Sequence, residues 1–173
     1  MMSTYLWINL GAFIVPFLFS FHPRLRFDRQ WHAALPAILG MMVLFIPWDA
    51  WATARGIWGF NAAHLVGFSL LGLPIEEWLF FICIPYACLF TYHCFKVLGV
   101  KDHLGPYARA ITRVLIAGSV MIAVFCADQL YTCITFGLLA FFLLMLTLWT
   151  KPFWAGRAYF AYAVLLLPFL IVN

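Results

Sequence analysis

Residues 75–95 read IEEWLFFICIPYACLFTYHCF, and after the two glutamates the stretch 78–95 contains no Asp, Glu, Lys or Arg. A bilayer core about 30 Å thick needs about 20 predominantly apolar residues in one helix. This segment is therefore long and apolar enough to cross a membrane. The rest of the chain has the same character, because 66% of its 173 residues are apolar and only 9% are charged. Such a composition excludes a water-soluble domain with a charged surface.

Further apolar stretches on both sides are separated by charges and turn residues. They predict an all-α, polytopic transmembrane helix bundle of about six spans, in which the whole chain, 1–173, is one membrane domain. The apolar piece 62–73 is too short to cross, and we expect an interfacial or re-entrant segment at the outer leaflet. The predicted spans are 3–21, 31–48, 75–95, 111–127, 131–149 and 157–173.

The positive charges alternate along the predicted loops. Nine of the ten Lys and Arg residues lie in or beside the first, third and fifth loops, and only Arg55 lies in an even-numbered loop. The positive-inside rule then predicts a multi-pass membrane protein with cytoplasmic basic loops and the N-terminus outside. The net charge of +4 thus indicates topology, and we expect no nucleic-acid partner. The nine are Arg24, Arg26, Arg29, Lys96, Lys101, Arg109, Arg113, Lys151 and Arg157.

A faint internal repeat relates the two ends of the chain. Tyr5, Ile8 and Gly11 have identical residues at a constant offset of 126. The second copy reaches residue 173 about where the first copy reaches Asp49, so we expect the second copy to lack its last helix. The predicted parts are a first repeat near 3–95, a linker span near 111–127 and a partial second repeat near 131–173.

Carboxyl groups in apolar surroundings are functional candidates, because ionised carboxylates are unfavourable there. Glu76 and Glu77 follow Pro74, which suits the first turn of a helix, and Asp49 ends an earlier span. The helix N-terminus favours the anion by about 0.3–1 kcal/mol, whereas a dry site favours the protonated acid more strongly. A carboxyl group that keeps its proton can act as a general acid. The alternative is that both glutamates cap the helix and face water.

Aromatic side chains surround these acids in the sequence. Aromatic faces stabilise a carbocation without reacting with it, so a proton donor among them favours chemistry on a hydrocarbon polyene. The alternative is an ordinary aromatic belt at the membrane interface. With the neighbouring Asn61, the candidates are Trp48, Trp51, Trp58, Phe60, Trp78, Phe80 and Phe81.

The residues that several other classes of membrane protein require are missing from the sequence. A prenyl protease with an E-E-x-x-x-R motif needs Arg where this chain has Phe81, and a prenyltransferase needs D-x-x-x-D motifs that the sequence does not contain. A retinal protein needs a lysine within a span, whereas every lysine here lies in or at a loop. No G-x-G-x-x-G motif indicates a dinucleotide, and we expect no metal site.

Four segments are similar to one known family: FHPRLRF at 21–27, WD at 48–49, GIWGFN at 56–61 and PIEEWLFF at 74–81. Over essentially the whole chain, they resemble the small integral-membrane lycopene cyclase domains of bacterial, archaeal and fungal carotenoid pathways. The resemblance implies a redox-neutral cyclisation of the ψ-ends of lycopene, through γ-carotene to β-carotene, without flavin or another cofactor. It also implies a bacterial inner or cell membrane as the location.

The resemblance also implies roles for the acids. One of Glu76 and Glu77, protonated, would deliver a proton to the end group, and Asp49 would be its partner or the proton acceptor. The aromatic candidates named above, with Asn61, would contact the substrate.

The number of acidic motifs indicates whether this chain needs a partner chain. Single-chain members of the family have two halves, each with its own P-x-E-E or P-x-E-D motif, whereas this sequence contains only the first. We therefore expect either a fragment or a second half-chain or homo-oligomer that supplies the rest, in addition to lycopene and membrane lipid. The alternative function is a non-catalytic carotenoid-binding or assembly subunit.

Overall fold

A computed structural model of the chain describes residues 4–149 and 153–172. The described part is helical apart from turns and one short hairpin, which confirms the all-α fold class. Lys151 and the predicted span ends at 3 and 173 lie outside the described residues. The helices are α1 (Thr4–Ser20), α2 (Trp31–Ala54), α3 (Ile75–Val97), α4 (Ala108–Phe125), α5 (Leu130–Trp149) and α6 (Ala155–Val172).

Four helical segments of the described part are long and apolar enough to cross a membrane. The apolar helices Thr4–Ser20 and Ala155–Leu167 are shorter. A helix satisfies its own backbone hydrogen bonds, which is why apolar segments of this length take helical form in lipid. The four segments are Phe27–Ala54, Ile75–Val97, Gly105–Phe125 and Leu130–Trp149.

The chain divides into two compact units, residues 1–100 and 101–173. In the first unit, α1 and α2 both pack against α3. In the second unit, α4 packs along α5, and the hydroxyls of Thr112 and Tyr159 join α4 to α6 by a hydrogen bond of 2.6 Å. The division into two repeats and a linker span stays a prediction. The core of the first unit includes Phe27, Ala34, Ile38, Met42, Ile46, Leu73, Tyr86 and Phe90.

Helix α2 continues past its predicted end at residue 48 and ends at Ala54. The prediction stopped at the charge of Asp49, but the feature that ends the helix is Gly56, whose φ is +68°. The two backbone N–H groups that follow the C-cap donate back to the last turn at 3.0 Å each, which is the Schellman arrangement. The extension places Asp49 and Trp51 on the helix.

The connection between α2 and α3 is irregular. It contains a 3-10 turn at Ala62–His64 and a hairpin in which β1 (Ser69–Leu70) pairs antiparallel with β2 (Leu73–Pro74). Leu71 and Gly72 form the hairpin turn with φ values of 53° and 80°, as a type I′ turn requires. The segment expected to be interfacial or re-entrant is therefore a hairpin loop, and its location in a membrane stays a prediction.

Candidate active site

The first turn of α3 carries two acidic side chains in different surroundings. Glu76 is 3% exposed, whereas Glu77 is half-buried. Adjacent positions on a helix differ by about 100° in direction, so the two carboxyl groups cannot share one set of neighbours. Each has its own partners.

Glu77 meets the other predicted acid, Asp49. The two carboxyl groups, one on α2 and one on α3, lie within hydrogen-bonding distance of each other. Asp49 is 4% exposed, and the Trp58 side chain lies close to its carboxyl group. Its Oδ2 atom is buried without a hydrogen-bond partner in the described part of the chain. Because α2 extends to Ala54, Asp49 is held on a regular helix opposite the first turn of α3.

Glu76 is bound to the connection that precedes α3. Its Oε1 atom accepts a hydrogen bond from the backbone N–H of Val66 at 2.6 Å. Its backbone carbonyl accepts a second one from Nδ2 of Asn9 at 2.8 Å. Glu76 therefore links α1, the connecting loop and α3, and its Oε2 atom is buried without a partner among the described residues.

Three of the predicted tryptophans lie on or just after the last turns of α2. The rings of Trp48 and Trp51 stack with centroids 5.1 Å apart, and the guanidinium carbon of Arg55 lies 5.4 Å from the Trp51 centroid. The indole N–H of Trp58 donates to the hydroxyl of Thr53 at 2.9 Å, in addition to the contact with the carboxyl group described above. This ring is thus positioned by two polar groups of α2.

The remaining aromatic candidates are on α3 and on the loop. Trp78 donates its indole N–H to the carbonyl of Leu70 at 3.1 Å, which ties α3 to the hairpin. Phe80 and Phe81 form an edge-to-face pair with centroids 5.9 Å apart. Phe60, Trp78 and Phe81 are half-buried against the core of the first unit.

The structure gives Asn61 a local role and adds polar groups that the sequence reasoning missed. Asn61 is exposed, and its side chain caps the 3-10 turn by accepting from the backbone N–H of Ala63 at 3.1 Å. Asn9 was missed, although an amide within an apolar span is itself a functional signal. Thr53 was missed because the span was ended too early, and the backbone N–H of Val66 carries no sequence signal.

The chemistry of the Asp49–Glu77 pair follows from the closeness of its two carboxyl groups. Two carboxylates repel each other in apolar surroundings, so such a pair favours the form in which one carboxyl group keeps its proton. Such a pair can donate a proton and accept one back. No group of three or more His, Cys, Asp or Glu side chains in the described part of the chain is arranged to hold a metal ion.

Several curated proteins are similar to this chain. The bifunctional lycopene cyclase/phytoene synthase of Aspergillus oryzae is 27% identical over 125 residues, which are 72% of this chain and 21% of that protein. The protein of the same description from Aspergillus niger is 28% identical over 112 residues, 62% of this chain and 18% of that protein. That of Phycomyces blakesleeanus is 32% identical over 88 residues, 50% of this chain and 12% of that protein. The chain spans about a fifth or less of the length of these relatives.

The family comparison covers more of the chain. The family model described as lycopene cyclase matches residues 2–95 and 128–173. The first matched segment includes both glutamates, Asp49 and all the predicted aromatic candidates. No solved structure matches the chain. Because the match extends over well more than half of its residues, this chain belongs to the lycopene cyclase family.

Proposed function

We propose that this protein cyclises the ψ-end groups of lycopene to β-rings within the membrane, in carotenoid biosynthesis, with Asp49 and Glu77 as its acid–base pair. Membership of the lycopene cyclase family supports the reaction class. The single observation that carries the assignment of the site is the close approach of the two carboxyl groups, since it places an acid and a base side by side.

The proposed reaction is an isomerisation in which one proton enters and one leaves. Glu77 donates a proton to C2 of the end group, and C1 becomes a tertiary cation. The electrons of the C5=C6 double bond form the C1–C6 bond, which moves the charge to C5. Loss of the C6 proton to Asp49 restores the C5=C6 double bond in the β-ring. No electrons are gained or lost, and none of the proposed steps uses a flavin.

The two glutamates have different proposed roles. The Oε1 atom of Glu76 is held by the backbone N–H of Val66, which supports a positioning role for this residue at the start of α3. Glu77 is half-buried and lies beside Asp49, which supports its role as the proton donor. This assignment selects one acid from the two that the P-x-E-E motif offers.

Aromatic faces near the pair are proposed to stabilise the cation and to exclude water from it. Trp58 supports this role most directly, because its side chain contacts both Asp49 and Thr53. We propose that Asn61 acts indirectly, by shaping the loop that it caps. The proposed lining consists of Trp48, Trp51, Trp58, Phe60, Trp78, Phe80 and Phe81.

The proposed setting is an integral, multi-pass protein with cytoplasmic basic loops and the N-terminus outside. In this orientation α2 runs away from the basic first loop, so the carboxyl pair lies toward the outer leaflet. A second half-chain or a second copy stays a proposed partner, because the sequence contains a single P-x-E-E motif.

Pigment analysis in lycopene-accumulating cells tests the proposal. Cells that express the unaltered chain are expected to form γ- or β-carotene. Glu77→Gln should lower that product by about 10²-fold or more, as loss of a general acid does, while the matched change Glu76→Gln should leave most of it. Immunoblots of membranes verify equal protein levels. Unchanged lycopene beside membrane-inserted unaltered protein would overturn the proposal that this chain cyclises lycopene by itself, and lycopene retained on that protein would instead favour the carotenoid-binding subunit.

A further inference from the structure

An apolar groove lies between α2 and α3. Its cavity volume is about 380 Å³, within the range of roughly 300–1,000 Å³ that is typical of small-molecule sites. The residues that line it carry no charge, and they include Ile38 and Met41 on α2 and Ile84, Pro85 and Cys88 on α3. Such a lining selects for an apolar ligand.

On α3 the groove residues Ile84 and Cys88 lie on the same face of the helix as Glu77. Glu77, Phe81, Ile84 and Cys88 are spaced i, i+4, i+7 and i+11, which places them on one face of the helix. With a rise of 1.5 Å per residue, Ile84 lies about 10 Å and Cys88 about 16 Å along the axis from Glu77.

The same alignment holds on α2, which runs in the opposite direction. Ile46, Met42 and Ile38 precede Asp49 at three, seven and eleven residues, and all four are buried. These side chains therefore form one face of α2. Along the interface between α2 and α3, the acid–base pair lies toward one end, and the groove lies closer to the other end.

We propose that this groove binds the conjugated chain of the polyene while one of its end groups reaches Asp49 and Glu77. The inference rests on the proposed function, which puts an end group at the carboxyl pair. The reacting double bond is at the terminus of the molecule, so the rest of the chain must leave the pair along an apolar path. A linear polyene occupies both places at once, and the polarisable side chain of Met41 suits contact with it.

Bulky substitutions test the groove, with a matched control on the same helix. Met41→Trp fills it, whereas Leu39→Trp adds the same ring to an α2 residue that is 60% exposed and outside the lining. Both changes are made in the Glu77→Gln chain, so that bound lycopene is not consumed, and the lycopene that purifies with each protein is measured. Met41→Trp is expected to reduce it at least fivefold, and Leu39→Trp to leave it unchanged. If the two variants retain equal amounts of lycopene, the proposal that the groove binds the polyene is wrong.

Thiol labelling is the second measurement, because it does not depend on how well a tryptophan is accommodated. In the Glu77→Gln chain, lycopene should slow maleimide labelling of Cys88 at least fivefold and leave that of Cys126, which belongs to the second unit, unchanged. Equal slowing by phosphatidylcholine alone would assign the groove to ordinary lipid and overturn the proposal.

The two proposals can fail separately. If the unaltered chain and Met41→Trp form equal amounts of cyclic product, the groove is wrong and the proposed function stands. If the unaltered chain forms no cyclic product, but Met41→Trp still reduces retained lycopene and Leu39→Trp does not, the proposed function is wrong and the groove stands.

Discussion

The side chain of Glu76 accepts the backbone N–H of Val66 at 2.6 Å, although the two residues belong to different elements. The backbone N–H of Ile75 donates to the carbonyl of Phe68 at 3.0 Å, so the loop is fastened to the first turn of α3 at two adjacent points. A buried carboxyl group that already binds a backbone N–H is well suited to stabilise the attachment of the loop to α3. This relationship separates the roles of the two adjacent glutamates.

The first prediction contrasts two changes at Glu76. In Glu76→Gln, the amide oxygen can still accept the N–H of Val66, so we expect at least half of the cyclised product. In Glu76→Leu, that N–H has no acceptor, which destabilises the loop by about 1–3 kcal/mol, and we expect roughly a tenfold loss of product. Pigment analysis measures the product, and hydrogen exchange at Val66 should accelerate only in the leucine variant. If glutamine abolishes the product as completely as Glu77→Gln does, Glu76 is itself the acid.

The second prediction concerns coupling between Asp49 and Glu77. If the two carboxyl groups act as one unit, the loss of either disables the same proton transfers, and their effects on rate are not additive. We expect Asp49→Asn with Glu77→Gln to lower cyclisation no further than Glu77→Gln alone. A double-mutant cycle tests this coupling: it compares product formation by the unaltered chain, the two single variants and the double variant. Losses that multiply would mean that the two acids act independently.

The third prediction separates the ring of Trp58 from its N–H group. Trp58→Phe keeps an aromatic face but removes the donor that contacts Asp49 and Thr53. A hydrogen bond between neutral groups contributes about 0.5–1.5 kcal/mol, and a factor of ten in rate corresponds to about 1.4 kcal/mol, so we expect product formation to fall by about three- to tenfold. The matched control is Trp48→Phe, which changes a ring that stacks on Trp51, and it should have a smaller effect. Equal losses would show that Trp58 acts only through its ring.

The positions of the helices were predictable because an apolar segment long enough to cross a bilayer satisfies its backbone hydrogen bonds as a helix. The span predicted at 75–95 is found as Ile75–Val97. The end of α2 was not predictable from the charge of Asp49, because that charge meets a partner from another helix. Gly56 was the available signal, since glycine with positive φ commonly follows a helix.

The difference between Glu76 and Glu77 lies beyond sequence reasoning. The motif supplies both acids in consecutive positions, and only the rotation of α3 about its axis determines which of them meets Asp49. That rotation depends on tertiary contacts, including the bond from Asn9 to the backbone of Glu76 at 2.8 Å. The catalytic roles of the site residues stay predictions.

The fourth prediction concerns a buried hydrogen-bond network in the first unit. The Ser20 hydroxyl donates to the carbonyl of Pro16 at 2.7 Å, so Tyr86 donates to Ser20 at 2.6 Å and accepts the indole N–H of Trp31 at 3.0 Å. Tyr86→Phe leaves that indole N–H without its acceptor, and we expect a loss of about 1–3 kcal/mol in the free energy of unfolding. Thermal unfolding in detergent measures it. Tyr162→Phe, at a residue that is 60% exposed, is the control and should leave the melting temperature unchanged.

The last prediction compares two glycines within helices. A Cβ atom on Gly156, in the first turn of α6, would lie 2.4 Å from the backbone of Gly105 and 2.8 Å from Oδ1 of Asp102, whereas one on Gly137, in α5, would meet nothing within 4 Å. Both Gly→Ala changes gain helix propensity, about 0.8–1 kcal/mol, but only Gly156→Ala forces the Gly105 turn away from α6, at a cost of about 1–3 kcal/mol. We therefore expect a lower melting temperature in detergent for Gly156→Ala and an equal or higher one for Gly137→Ala. If Gly156→Ala melts at or above the temperature of the Gly137→Ala protein, the close approach of the two backbones is not required for the stability of the second unit.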